Sequence, residues 1–243
     1  MKILNGNQIK ILACIFMLID HIGLFLYPNI LILRIIGRLA MPLFAFFIAE
    51  GAYYTKNKIK YLSLLSITGI IIFLAVFIAT KEIELNILIS FSLSLILIFL
   101  YDAVMKYIKL KNKKLAIIFV LLFIIYSISL FTFIAFYHIE YGIYSIILPF
   151  AVSLTQSKYY KNPNPSDNLT KAIVFILAYI FSAIVSLYAM APYTPLSTQK
   201  YGIFAVLFIL LYNGKRGKYN LKYLFYIFYP AHVLILYLIS YYM

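Results

Sequence analysis

Apolar runs of about twenty residues follow one another along almost the whole chain, with only short basic loops between them. In hydrocarbon every backbone N–H and C=O needs a partner within the protein, so a spanning segment is a helix or part of a closed barrel. Runs this long and this uniformly apolar fit helices. Nine runs are legible, at roughly 8–27, 31–53, 60–80, 85–107, 113–137, 141–157, 170–190, 200–213 and 221–242. The sixth is slightly short and the eighth clearly so, which leaves room for re-entrant or deeply tilted segments. Of the 243 residues, 65% are hydrophobic and 12% charged. A soluble domain is about half apolar and a quarter charged. The expected fold is therefore an all-α integral membrane protein: a polytopic bundle of about nine transmembrane helices forming a single membrane domain over 1–243. The first run is not expected to be a cleavable signal peptide, because Asp20 and His21 interrupt it and no small-residue cleavage site follows.

The loops set the orientation. Basic residues crowd alternate loops, around Lys2 and Lys10, Lys56–Lys60, Lys106–Lys114, Lys158–Lys171 and Lys215–Lys222. That set holds roughly seventeen Lys and Arg residues against two, Lys81 and Lys200, in the other. The bias predicts a multi-pass membrane protein with a cytoplasmic N-terminus and, with nine spans, an external C-terminus. It also accounts for the net charge of +14 without nucleic acid as a partner. Anionic lipid is the expected partner of those loops. The stretch at about 157–170, rich in Pro and Asn, predicts a turn-rich cytoplasmic linker. Cys14 is the single cysteine, so no disulfide framework or thiol metal site is expected, and three scattered His residues do not have metal-site spacing.

Against this apolar background the ionisable residues stand out. Asp20 and His21 lie in the first run; Arg34, Arg38 and Glu50 lie in the second. Charge at membrane depth is expensive and marks functional sites. Adjacent residues project about 100° apart on a helix, so Asp20 does not clamp its neighbour's ring. Arg34 or Arg38 is its obvious partner, while a neutral His21 suits proton transfer with an amine or hydroxyl. The structural alternative is an interhelical hydrogen bond. Arg34 and Arg38 share a helix face and present donor forks for an anionic ligand or a developing oxyanion. Their alternative is an ion pair with Asp20 plus snorkelling to headgroups.

Glu50 precedes Gly51 near the cytoplasmic end of its run, as part of a site or as partner of Lys58. Pro42 is expected to kink that helix. Asn213-Gly214-Lys215-Arg216-Gly217 forms a basic, Gly-rich cytoplasmic loop that either approaches a phosphate or serves as a positive-inside turn. His232 follows Tyr229-Pro230-Ala231, where Pro230 opens the helical ladder. His138 and Glu140 fall in an outer loop, where solvation is the simpler account. Counted from the ends of their runs, His21, Arg34 and Arg38 fall in the outer half, His232 near mid-membrane and Glu50 near the cytoplasm. That order predicts a vertical path of polar groups.

Several fragments together carry a family resemblance: LIDHIG (18–23), RIIGRLAMPLFAFFIAEG (34–51) with Thr55, EYG (140–142), LLYNGKRG (210–217) and KYLFYIFYPAHVLILYLI (222–239). In sequence and order they resemble the TraX family, over nearly the whole chain. The resemblance implies a polytopic membrane acetyltransferase, since TraX proteins are associated with N-terminal acetylation of conjugative pilin. It also implies similarity to transmembrane acyltransferases, which take acetyl-CoA from the cytosol and modify an acceptor at or beyond the membrane. Carried over by position, His21, Asp20 and Arg38 are the implied catalytic residues. Arg34, Glu50, Asn213, Lys215, Arg216 and His232 are implied in binding substrate or donor. Acetyl-CoA is the implied donor and no metal is implied; the acceptor is a peptide amine or a sugar. Two other classes compete. Buried Asp, His, Arg and Glu also serve proton-coupled transporters, although no paired inverted halves are visible. A non-catalytic assembly factor for a surface structure is the third.

Overall fold

Asparagine starts four of the long helices. The side chain of Asn5 accepts the Gln8 N–H, Asn57 that of Lys60, Asn86 those of Leu88 and Ile89, and Asn112 that of Leu115. Each short polar side chain supplies an acceptor that the first helical turn lacks. The computed structural model describes residues 3–156, 167–188, 196–219 and 221–242. Most of the proposed linker at 157–170 lies outside the described residues.

The helices are α1 (Gly6–Phe25), α2 (Leu31–Gly37), α3 (Ala40–Tyr54), α4 (Lys58–Thr80), α5 (Ile87–Lys109), α6 (Lys113–Phe136), α7 (Tyr144–Leu154), α8 (Asn168–Tyr188), α9 (Leu196–Gln199), α10 (Val206–Leu211) and α11 (Lys222–Tyr242). A 3-10 turn, Lys200–Ala205, leads into α10. Two-residue strands β1 (Glu84–Leu85) and β2 (His138–Ile139) pair in parallel. Among the described residues, seven helices are long and apolar enough to cross a membrane, the second formed by α2 and α3 together. The shorter apolar helices Tyr144–Leu154 and Lys200–Leu211 are the expected sixth and eighth runs. At 1.5 Å per residue neither reaches through a core of about 30 Å by itself. Leu148 and Val152 in α7 are fully buried, so protein rather than lipid surrounds that face. The chain is an all-α, polytopic, multi-pass membrane protein.

It packs as two compact units, 1–47 with 195–243, and 48–194. In the first unit α1 packs on α2 and α11. The second run is not one continuous helix: it breaks at Arg38–Leu39, and Pro42 falls in the first turn of α3. Pro42 has no N–H for the Arg38 carbonyl, so the ladder opens there, and a first turn tolerates the ring. In the second unit α5 is central, packed on α4, α6 and α7, with α8 against α7. Gly69 lets α4 approach the start of α5, because a Cβ there would come within 3.1 Å of the Ile89 nitrogen. Asn86 also donates to the Gly69 carbonyl at 2.8 Å, and the buried Ser94 hydroxyl donates to the Ile146 carbonyl at 2.8 Å. Hydrogen bonds of this kind hold helices together where lipid offers no competing hydrophobic drive. The apolar flanks of α4, α6 and α11 stay largely uncovered, as lipid-facing helices do.

Two loop residues do more than the sequence suggested. Glu140 is not simply solvated: its carboxylate accepts the Ile87 N–H at 2.9 Å and so caps α5. Lys171 is not a loop charge but a buried residue of α8. We expect Asn86→Ala to destabilise the fold by about 1–3 kcal/mol, from a lost cap and a lost interhelical hydrogen bond to Gly69. Asn86→Asp keeps the cap acceptors and should fall between the two. Thermal unfolding in detergent reads the order.

Candidate functional site

Residue by residue, α1 divides its polar work. Asp20 is 3% exposed and faces α2. Both of its carboxylate oxygens lie 2.9 Å from Nη2 of Arg38. Arg34 Nη1 lies 3.0 Å from Asp20 Oδ2 and donates to the Asp20 carbonyl at 3.0 Å. The helices come close enough because position 37 is glycine. A Cβ on Gly37 would fall 2.6 Å from the Asp20 Cα, and one on Gly23 would fall 2.8 Å from the Leu33 Cβ. Small residues at such crossings let membrane helices approach closely.

Two guanidinium groups thus meet one carboxylate. No other side-chain carboxylate occurs in the sequence of this unit, so the cluster carries an excess positive charge. Arg cannot shed its proton to remove that charge. Positive charge fixed at membrane depth favours an anion, or negative charge that develops during a reaction.

His21 points elsewhere, as the 100° step between neighbours requires. Its Nδ1 lies 2.9 Å from the Met17 carbonyl and 2.9 Å from Nε2 of His232. His232 is buried at 5% exposure, its Nδ1 is 2.6 Å from the Phe228 carbonyl, and its ring stacks on Phe228 at 4.8 Å. The two histidines therefore share one depth, which corrects the vertical order expected for this pair. Counting from the ends of runs gives depth only if all helices start in one plane, and tilt and offset break that assumption.

The loop 213–217 sits at the other end of α1. The Gly6 and Asn7 N–H groups donate to the Lys215 and Arg216 carbonyls at 2.8 and 2.9 Å. Asn213 donates from its backbone to the Leu4 carbonyl, and its side chain accepts the Lys215 N–H. Gly217, at φ +101°, leaves room for Asn5 and Asn7, and Asn7 donates to the Tyr219 carbonyl at 2.7 Å. These contacts clasp the start of α1, and the donors that a helix start would offer a phosphate are already used. The Lys215 and Arg216 side chains remain exposed. Fourteen residues of helix, about 20 Å, separate this clasp from Asp20.

Glu50 belongs to the second unit. Its Oε1 accepts from Lys171 Nζ at 2.6 Å, and both side chains are buried. Lys58 is not its partner; Lys58 pairs with Asp102 at 2.7 Å. Glu50 Oε2 and both amide atoms of Gln156 are buried with no hydrogen-bond partner among the described residues. Gln156 lines a small pocket with Tyr53, Asp102 and Ser153.

The structure thus gathers Asp20, His21, Arg34, Arg38 and His232 in one unit. Asn213, Lys215 and Arg216 lie in the same unit at the far end of α1. Gly37 and Lys171 were missed by sequence reasoning. A glycine framed by two arginines at membrane depth is a usable signal for the first. The second was obscured by its place at the start of a helix.

Residues 5–240 match the profile of a protein family described as TraX protein. The chain belongs to the TraX family. A protein of Dichelobacter nodosus named a probable fimbrial assembly protein FimC, serogroup H1, is 28% identical over 253 residues, 96% of this chain and 94% of that one. An uncharacterized protein of Rickettsia prowazekii is 47% identical over 85 residues, 35% of this chain and 32% of that one. No solved structure matches this TraX protein significantly.

Removing one member of a buried ion cluster strands its partners. Asp20→Leu should therefore destabilise the protein by roughly 3–5 kcal/mol. Combining it with Arg38→Leu should recover part of that loss. Chemical or thermal unfolding of the single and double variants tests the coupling.

Proposed function

We propose that this TraX protein is an acetyl-CoA-dependent acetyltransferase of a prokaryotic cytoplasmic membrane. Its acceptor would be an amine or hydroxyl at the outer side, on a pilin-like peptide or a glycan. The observation that carries the reading is the pairing, in one unit, of a partly exposed histidine with an arginine cluster of excess positive charge.

Acetyl-CoA would supply an acyl carbon activated as a thioester. The residues fit such a donor and its reaction in two respects. His21 offers a base for the acceptor proton within a span. Arg34 and Arg38 would supply positive charge for the carbonyl oxygen as it gains negative charge during attack. His21 would take the acceptor proton as the new C–N or C–O bond forms, then return it to the departing sulfur as the C–S bond breaks. Asp20 would not join the proton transfer, since both of its oxygens are engaged by Arg38. It would hold the two arginines in place. The exposed Lys215 and Arg216 would attract the donor's phosphates through their side chains.

The fimbrial assembly name of the Dichelobacter nodosus relative favours a component of a surface fibre as acceptor. The same name supports a second reading, a non-catalytic assembly factor. Calorimetry separates them without a known acceptor. Purified wild type and His21→Ala are each titrated with acetyl-CoA, CoA and ATP. We expect both proteins to bind acetyl-CoA in the micromolar range and in preference to ATP. Once an acceptor is found, transfer by His21→Ala should fall by about 10²–10⁴-fold. A folded His21→Ala protein that binds donor and transfers acetyl at the wild-type rate would refute His21 as base. No binding by folded wild type would favour the assembly factor.

A further inference from the structure

His21 Nδ1 faces two acceptors, the Met17 carbonyl and His232 Nε2, each at 2.9 Å. A carbonyl never donates, so a lone pair on Nδ1 would face the Met17 oxygen across a repulsive contact. Nδ1 therefore carries the proton. The same logic holds one ring further on. His232 Nδ1 lies 2.6 Å from the Phe228 carbonyl, so it too carries a proton. A neutral His232 then has a lone pair on Nε2, directed at His21 Nδ1–H. Were His232 Nε2 also protonated, two N–H groups would meet head on.

The hydrogen bonds thus run in one direction. His21 Nδ1–H donates to His232 Nε2, and His232 Nδ1–H donates to the Phe228 carbonyl. The remaining nitrogen is His21 Nε2, to which none of the described residues is hydrogen-bonded. We infer that His232 is a positioning residue that, together with the Met17 carbonyl, holds His21 in the Nδ1–H tautomer, so that Nε2 is its base. This rests on the reading of His21 as a base and adds which atom acts and what orients it. In many hydrolases a carboxylate fixes the tautomer of a catalytic histidine. Here the adjacent carboxylate, Asp20, is held by arginines on another face of α1. A second imidazole takes over the orienting role. When His21 Nε2 gains a proton, its Nδ1–H stays donated to His232 Nε2, which shares the positive charge. When Nε2 releases the proton to the leaving group, the starting tautomers return.

His232 is held for this task. Phe228 lies one turn earlier on α11, and it supplies both the carbonyl for Nδ1–H and the ring on which the imidazole stacks. Pro230, within the same turn, withholds an N–H from the Tyr226 carbonyl without disturbing that of Phe228.

With only three histidines in the chain, nitrogen NMR of detergent-solubilised protein labelled with ¹⁵N-histidine can test this directly. His138→Gln removes the third set of signals and assigns the rest. The wild type should show His21 protonated at Nδ1 and bare at Nε2. It should also show a nitrogen–nitrogen coupling across the hydrogen bond to His232 Nε2. In folded His232→Ala the coupling should vanish and the Nδ1–H signal should shift, with an Nε2–H population appearing beside it, because the Met17 carbonyl is then the one remaining acceptor for Nδ1–H among the described residues. In His232→Gln the side-chain oxygen accepts from Nδ1–H and should restore the wild-type tautomer, without the nitrogen–nitrogen coupling. A wild-type His21 protonated at Nε2, or no coupling to His232, overturns the proposal whether or not the variants fold. So does a His232→Ala spectrum with unchanged His21 signals. Coupling without acetyl-CoA binding would leave the relay standing and the transferase reading refuted; binding without coupling would do the reverse.

Discussion

One carboxylate shared by two guanidinium groups organises the first unit. Asp20 in lipid by itself would cost several kcal/mol, and so would either arginine. Together they satisfy one another at distances near 3 Å. The arrangement demands that α1 and α2 nearly touch, which is why Gly37 faces Asp20 and Gly23 faces Leu33. It also consumes both carboxylate oxygens, so that the neighbouring His21 must find its partner on a different helix. The ion cluster therefore sets the distance between α1 and α2 and turns His21 toward α11.

α1 is anchored at both ends by chemistry of different kinds. At its start, neutral backbone groups of the loop 213–217 take up the donors that an unfinished helix leaves open. Near its end, charges and imidazoles make the contacts. In this way the segment 195–243 is tied to the first 47 residues twice, once through α1's first turn and once through His232. A polar constellation for proton transfer gains from such support, because its geometry depends on rotamers locked by neighbours.

The second unit shows a different use of buried polarity. Its helices are joined by single hydrogen bonds from Asn86, Ser94 and Tyr126 to carbonyls on neighbouring helices. The Glu50–Lys171 pair is buried more deeply than the arginine cluster and is less completely satisfied, since Glu50 Oε2 has no hydrogen-bond partner among the described residues. A water molecule is the ordinary occupant of such a position.

Much of this was legible in the sequence, for a physical reason. Bilayer thickness and the rule that backbone polar groups be satisfied internally convert apolar run length directly into helices, so the approximate limits of the runs needed no tertiary information, although the break in the second run and the shortness of the sixth and eighth helices leave seven long enough to span among the described residues. The cost of charge in lipid likewise singled out Asp20, His21, Arg34 and Arg38, and the 100° step between neighbours separated Asp20 from His21. Pro42 marked the break in the second run. What the sequence by itself did not determine were pairings between distant helices. Nothing local distinguishes Lys171 from Lys58 as the partner of Glu50, and no spacing rule joins His21 to His232 across 211 positions. Those choices depend on the tilt and offset of helices, which follow from side-chain packing rather than from hydropathy. The sequence determined which residues were too costly to leave alone in lipid; the tertiary structure decided with whom each was paired.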